Sequence, residues 1–213
     1  MVTTLGVLVA GGAGSRLAFG MPKAQVTLAG RTLMRRAIAI LAAVCDEIVV
    51  SAPAGMVLTI GERTGSEPAS RAVRRADDPP GTNGPLAGMV AGLSSSAFER
   101  AIVLGVDMPF IEPAALRAML ERLAGRHAVV PAPGGFPQPL AAAYAATAAP
   151  ILASRLAAGE RSPSRALAAL DVLRLDHQAL LELPGGPDCF FNLNTLADLV
   201  EAERRLAAGK ATT

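Results

Sequence analysis

Leu5-Gly6-Val7-Leu8-Val9-Ala10-Gly11-Gly12-Ala13-Gly14-Ser15-Arg16-Leu17 decides the fold. The apolar run Leu5–Ala10 stops abruptly at a pair of glycines. It is short and lacks polar alternation, so it reads as a strand buried on both faces. The glycines after it let backbone N–H groups close around an anion, because no Cβ blocks the approach. Gly11, Gly12 and Gly14 are therefore candidates for cradling phosphate. Two familiar phosphate loops fail on their residues. A Walker A loop needs Lys followed by Ser or Thr, and Lys23 is followed by Ala24. A dinucleotide fingerprint starting at Gly12 needs a glycine where Leu17 stands. For the glycines alone, a tight turn without a ligand stays open.

The same strand signature recurs outward from this stretch, in EIVVS (47–51), AIVLGV (101–106) and HAVVP (127–131). Amphipathic stretches separate the runs: Thr32–Val44, Pro85–Ala97, Pro113–Leu123 and Pro150–Ala158. Short buried strands alternating with helices predict an α/β protein, with a parallel sheet covered on both faces. Pro113 suits a first helical turn, and Asn194 or Thr195 can cap a last helix, Thr195 having capping-box spacing to Asp198. Pro, Gly and polar residues break up Ala52–Arg71, and no element is assigned there. With no repeat and no convincing linker, residues 1–206 are expected to form one domain and 207–213 a frayed tail.

Composition narrows the function classes. The 20 basic and 18 acidic residues nearly cancel, and there is one Tyr and no Trp. Neither an electrostatic footprint nor stacking platforms for nucleic acid are present, and no nucleic-acid partner is expected. No apolar run approaches the ~20 residues of a membrane span, and no basic segment precedes a long apolar one at the N-terminus. Cys45 and Cys189 show no metal or redox spacing. A cytoplasmic protein without a membrane partner is expected.

Three further features carry chemistry. The chain has 20 basic residues but two lysines, Lys23 and Lys210. Lys23 ends the glycine-rich stretch, where a compact ammonium on a flexible stem suits phosphate oxygens better than a planar guanidinium. Chance placement is the bland alternative. Arg16 is the loop's other cation, set either on phosphate or in solvent. Asp107, in VLGVDMP (103–109), follows a buried strand and should stand at the carboxyl edge of the sheet, where open α/β folds bind ligands. A carboxylate there is a candidate Mg²⁺ ligand beside phosphates; turning the chain before Pro109 is the alternative. The stretch 77–88, DDPPGTNGPLAG, is a loop entering a helix at Pro85. His127 and His177 lack partners at ligand spacing, and no role is assigned to them.

With these residues in hand, the chain resembles the molybdenum cofactor guanylyltransferases, within the wider MobA-like nucleotidyltransferase group, along nearly its full length. The matching segments are LVAGGAGSRL (8–17) with Lys23, GPLAGMVAGL (84–93), GVDMPFIEP (105–113), QPLAAAY (138–144), LAAGERS (156–162) and FNLNTLADL (191–199). The resemblance implies a Rossmann-like three-layer α/β sandwich of the nucleotide-diphospho-sugar transferase kind, with a mostly parallel sheet. It implies transfer of GMP from Mg-GTP to molybdopterin cofactor, with pyrophosphate released, and leaves room for protein partners that deliver the cofactor. By position, Val9, Ala10 and Gly11 are implied to line the nucleotide pocket and Lys23 to contact phosphate. Asp77 is similarly implied as a nucleotide-binding acid, Asp107 as the Mg²⁺ ligand, and Asn192 and Asn194 as residues near the pterin. The chain departs from the family pattern at three places. The spacing from Arg16 to Lys23 is one residue longer. Ser51 stands where an Asn usually contacts the nucleotide. Phe136-Pro137-Gln138-Pro139 replaces a common His-Pro.

The expected catalytic set is thus Lys23, Arg16 and Asp107, acting by positioning and charge neutralisation. The alternatives are a relative that uses CTP with molybdopterin, one that joins a nucleoside triphosphate to a sugar-type phosphate, and a nucleotide-binding regulator without turnover.

Overall fold

The glycine-ended run forms strand β1 (Thr4–Val9), every residue of which is buried. The computed structural model describes residues 3–11, 21–58 and 73–210. Next come a small hairpin, β2 (Thr27–Leu28) and β3 (Arg31–Thr32), helix α1 (Leu33–Ala42), and strands β4 (Glu47–Ala52) and β5 (Val73–Asp77). Helix α2 (Pro85–Leu93), strand β6 (Arg100–Gly105), helix α3 (Pro113–Glu121), and strands β7 (Ala128–Pro131) and β8 (Ala141–Ala145) follow. The chain then forms α4 (Ala148–Ala157), α5 (Pro163–Ala166), β9 (Val172–Leu175), α6 (His177–Leu181) and α7 (Leu196–Lys210). The expected runs all appear, with ends shifted by a few residues: α2 stops at Leu93 before Ser94, and α4 begins two residues earlier than Pro150. Residues 207–210 of the expected tail are helical, and 211–213 lie outside the described residues.

The main sheet has seven strands in the order β5-β4-β1-β6-β8-β7-β9. Its neighbours pair in parallel except at β8, which is antiparallel to both β6 and β7. The sequence reading missed β8 because its residues, Ala-Ala-Ala-Tyr-Ala, favour helix by local propensity. Packing overrides that preference. Ala141 and Ala143 face one core and Ala142 and Tyr144 the other, and the Tyr144 hydroxyl donates to Pro139 O at 2.8 Å. Burial of that phenol pushes its pKa upward.

Alternate side chains of β1 serve opposite layers, as a doubly covered strand requires. Leu8 joins α1, α3 and α6 on one face, while Leu5, Val7 and Val9 join α2, α4 and α5 on the other. The result is the expected three-layer sandwich. A third apolar cluster joins α7 to the hairpin through Leu28, Leu193 and Ala202.

Strand order sets where a ligand fits. From β1 the chain steps outward to β4 and β5, then returns to the far side of β1 as β6. The strand order reverses between β1 and β6, which makes their carboxyl ends the crevice of an open α/β sheet. Val9 of β1 lies opposite Gly105 of β6 at its mouth. Among the described residues, no helix is long and apolar enough to cross a membrane.

Candidate active site

Lys23 opens a 3-10 turn, Lys23–Gln25, anchored by the fully buried Ala24. Its side chain is 11% exposed and its ammonium reaches two groups from distant parts of the chain. Nζ lies 3.3 Å from Asp107 Oδ2 and donates to Asn194 Oδ1 at 2.8 Å. Asp107 stands just past β6. A Cβ on Gly105 would come within 2.6 Å of Asp107 Oδ1, so only glycine lets the carboxylate fold back over the strand end.

The Asn192-Leu193-Asn194 segment is pinned beside Asp107, because Leu193 N–H donates to Asp107 O at 2.8 Å. The Leu193 side chain is sunk in the cluster under α7, and the flanking asparagines make polar contacts. Asn194 takes the Lys23 bond, while Asn192 Nδ2 donates to Gln138 Oε1 at 3.3 Å. Lys23, Asp107, Asn194, Asn192 and Gln138 thus form one polar line across the carboxyl edge of the sheet. The capping box expected at Thr195 is present: Asp198 N–H donates to Thr195 Oγ1 and Thr195 N–H donates to Asp198 Oδ2.

Val9 and Ala10 lie at the end of β1, where Ala10 N–H donates to Ser51 O at 2.9 Å and extends the parallel ladder towards Gly11. Gly11 packs against Pro53, leaving no room for a Cβ. Gly12, Gly14 and Arg16 lie outside the described residues. Ser51 is fully buried, and its hydroxyl donates to Leu8 O at 3.4 Å, a main-chain partner rather than an open pocket.

Two adjacent acids diverge at the end of β5. Asp77 is exposed and accepts from Arg75 Nε at 2.7 Å, as residues two apart on one strand face do. Asp78 continues the face of Ala76, which packs towards α2. Its Oδ1 is buried and has no hydrogen-bond partner among the described residues. A Cβ on Gly88 of α2 would lie 3.4 Å from that oxygen and 3.1 Å from Ser51 Oγ. Burial, and then the charge of Asp77, hold the Asp78 carboxyl above the ordinary aspartate range. A buried carboxylate oxygen without a donor is costly to keep, which makes this acid a candidate ligand contact. Asp77 is the acid expected from the sequence, and Asp78 joins it here. Recognising a strand over 73–77 would have separated the two by alternation.

No group of three or more His, Cys, Asp or Glu residues among the described ones could hold a metal ion by itself. A lone carboxylate at a phosphate-binding edge still suits a hard divalent cation whose other ligands are phosphate oxygens and water. Asp107, 27% exposed at the crevice mouth, meets that description. His127 stands away from the site: its Nδ1 accepts from Asp171 N–H at the opposite edge of the sheet.

Residues 6–175 match the family model described as the MobA-like NTP transferase domain. The chain belongs to that family. It is therefore an enzyme of the nucleotidyltransferase kind. It is 32% identical to a probable molybdenum cofactor guanylyltransferase of Pelotomaculum thermopropionicum, over 95% of this chain and 93% of the relative. A protein with the same designation from Natronomonas pharaonis is also 32% identical, over 95% of this chain and 98% of its own length. The molybdopterin-guanine dinucleotide biosynthesis protein A of Archaeoglobus fulgidus superposes with a TM-score of 0.76 at 27% identity, covering 96% of this chain and 99% of that one. The 2-C-methyl-D-erythritol 4-phosphate cytidylyltransferase of Thermus thermophilus shares the fold, with a TM-score of 0.66 at 19% identity over 96% of this chain and 98% of its own. The architecture is accordingly the nucleotide-diphospho-sugar transferase fold expected from the sequence, and nucleotidyltransferases of this type generally use a divalent metal.

Proposed function

We propose that this enzyme transfers GMP from Mg-GTP to the terminal phosphate of molybdopterin cofactor and releases pyrophosphate. The observation that carries the reading is the meeting of Lys23, Asp107 and Asn194 at the crevice between β1 and β6. A cation, a carboxylate and an amide from three distant segments converge where an open α/β sheet receives its ligand. The names and coverage of the relatives support guanosine as the nucleoside and molybdopterin as the acceptor.

In this reading an acceptor phosphate oxygen attacks the α-phosphorus of GTP in line. A new P–O bond forms as the bond to the β-phosphate bridging oxygen breaks, and pyrophosphate leaves with that electron pair. The attacking phosphate is already ionised near neutral pH, so no side chain has to remove a proton. That agrees with a site whose described residues include no histidine. The protein's work is positioning and charge neutralisation. Lys23 serves the triphosphate oxygens, helped by Arg16 and by the amides of Gly11, Gly12 and Gly14. Val9 and Ala10 form the floor beside the nucleoside. The carboxylates after β5 serve the nucleoside, Asp78 through its unsatisfied oxygen and Asp77 from the exposed face, while Ser51 backs the pocket from the core. Gln138, Asn192 and Asn194 line the side from which the acceptor approaches. Asp107 would hold Mg²⁺, which when bound neutralises triphosphate charge and favours departure of pyrophosphate. The proposed setting is the cytoplasm, in keeping with two buried cysteines that form no disulfide.

Pyrophosphate release measured with GTP, CTP, ATP and UTP, each with and without molybdopterin, tests the proposal. Release from GTP that depends on molybdopterin is the expected result. A preference for CTP would move the enzyme to the cytidylyl branch, and nucleotide binding without release in any mixture would make it a regulator.

A further inference from the structure

The start of α7 contains a bond that helix capping does not explain. In a capping box the residue at the third helical position returns a hydrogen bond to the N–H of the cap residue. Here Thr195 is the cap, and the Asp198 carboxylate accepts its N–H at 2.7 Å. The same oxygen, Oδ2, also accepts the N–H of Asn194 at 2.8 Å, one residue outside the box. The helix terminus gains nothing it needs from that second bond, but Asn194 is fixed by it.

Asn194 is the residue whose carboxamide holds Lys23. Its segment is clamped from the other end as well. Leu193 N–H is bonded to Asp107 O, and the Arg205 guanidinium lies 4.5 Å from the centre of the Phe191 ring while Glu201 holds its Nε at 2.8 Å. Asn194 is therefore the last residue of a strap whose far end is closed by Asp198. The chain Asp198, Asn194, Lys23 runs from α7 to the crevice through hydrogen bonds of 2.8 Å and 2.8 Å. The Asp198 carboxyl is held below its ordinary range, first by the Asn194 N–H and also by the charge of Lys23, so it shares the field of the site.

We propose that Asp198 is a positioning residue for nucleotidyl transfer, fixing the Asn194 backbone so that its carboxamide holds the Lys23 ammonium at the crevice. The inference rests on the transfer reaction proposed above. A displacement of about 1 Å in a catalytic group can cost on the order of 10²-fold in rate, and loosening one link costs less. Asp198→Ala should lower kcat about tenfold, with a smaller change in the nucleotide KM. Asp198→Asn, which keeps an accepting oxygen, should recover most of that loss.

A double-mutant cycle with Asn194→Ala separates positioning from capping. If Asp198 acts through Asn194, the double variant is no slower than Asn194→Ala. An independent role multiplies the two losses and overturns the proposal, as does wild-type kcat in a folded Asp198→Ala protein. If Asp198→Ala does not fold, the same cycle run with Asp198→Ser, whose shorter side chain draws the acceptor away from the Asn194 N–H, decides in the same way. A second readout does not depend on turnover. The chain has two lysines, Lys23 and Lys210, so side-chain ¹⁵N labelling of lysine gives two ammonium signals. The Lys23 signal should shift in Asp198→Ala in the direction seen in Asn194→Ala, while an unmoved signal overturns the proposal. If the wild-type enzyme releases no pyrophosphate from any nucleotide, the proposed reaction fails, and the lysine signal still decides the positioning claim.

Discussion

Asp107 and Asp78 stand at the same edge of the same sheet, yet their surroundings differ. Asp107 follows β6 and has its charge met by the Lys23 ammonium at 3.3 Å. Asp78 follows β5 and buries an oxygen that no group among the described residues satisfies. The first carboxylate belongs to a cluster that is electrically complete before a ligand arrives, and the second waits for donors it does not yet have. This contrast divides the proposed labour: the Lys23–Asp107 end handles charge, and the Asp78 end reads hydrogen-bond donors.

The sharpest way to break the comparison is to remove the cation. Lys23→Met keeps the buried stem and deletes the ammonium, so the fold should survive. Loss of one preorganised charge-stabilising group typically costs ~10²–10³ in rate, and pyrophosphate release at saturating GTP should fall by that factor. Less than a tenfold loss would mean that Lys23 is a structural partner of Asp107 and Asn194. The effect should appear in kcat more than in KM, because phosphate charge redistributes as pyrophosphate departs.

Asp78→Asn sharpens the other half. An asparagine keeps one acceptor oxygen and replaces the other with a donor, so it cannot receive two ligand donors at once. A site left unable to pair a ligand group typically loses about 1–3 kcal/mol. Titration with GTP should therefore show a KM or Kd raised roughly 5-fold to 150-fold, with discrimination between GTP and CTP reduced. Unchanged affinity together with unchanged selectivity would remove Asp78 from the site. Asp77→Asn should weaken binding less, since its carboxylate is exposed and already engaged by Arg75.

Much of this was legible before any coordinates. Unbroken apolar runs marked β1, β4, β6 and β7 because a doubly covered strand has no polar face to interrupt it. Pro85, Pro113 and the Thr195–Asp198 pair marked helix starts by their own chemistry. What stayed hidden depended on partners far away in sequence. β5 is an edge strand reading Val-Arg-Arg-Ala-Asp, too polar to announce itself, and β8 is almost all alanine. Without β5 there was no alternation to separate Asp77 from Asp78. The Lys23–Asn194 bond spans 171 positions, so neither residue alone pointed to the other. Ser51 looked like a shortened ligand contact, and only the fold reveals that it is buried beneath Gly88 with its hydroxyl turned to Leu8 O.

The smallest expected effect is on stability, and its sign distinguishes the two ends of the site again. Asp78 has a raised folded-state pKa, so the folded protein holds its proton more tightly than the unfolded chain. Between the unfolded value near 3.8 and that raised value, increasing pH draws a proton from a group that resists charging, and folding stability falls. Asp198 behaves in the opposite sense: its lowered pKa adds stability as pH rises towards 3.8. Asp78→Asn removes the first contribution and keeps the second. Thermal melts from acid to neutral pH should show the variant pulling ahead of wild type above about pH 4, reaching a gain of roughly 1–2 °C at neutrality. Asp78 is only partly buried, which keeps the gain small. A variant that is weaker in nucleotide binding yet no less stable is what a group kept for a ligand should give, since its uncompensated burial costs the free protein. A variant that melts lower at neutral pH would instead show that the Asp78 carboxylate serves the fold.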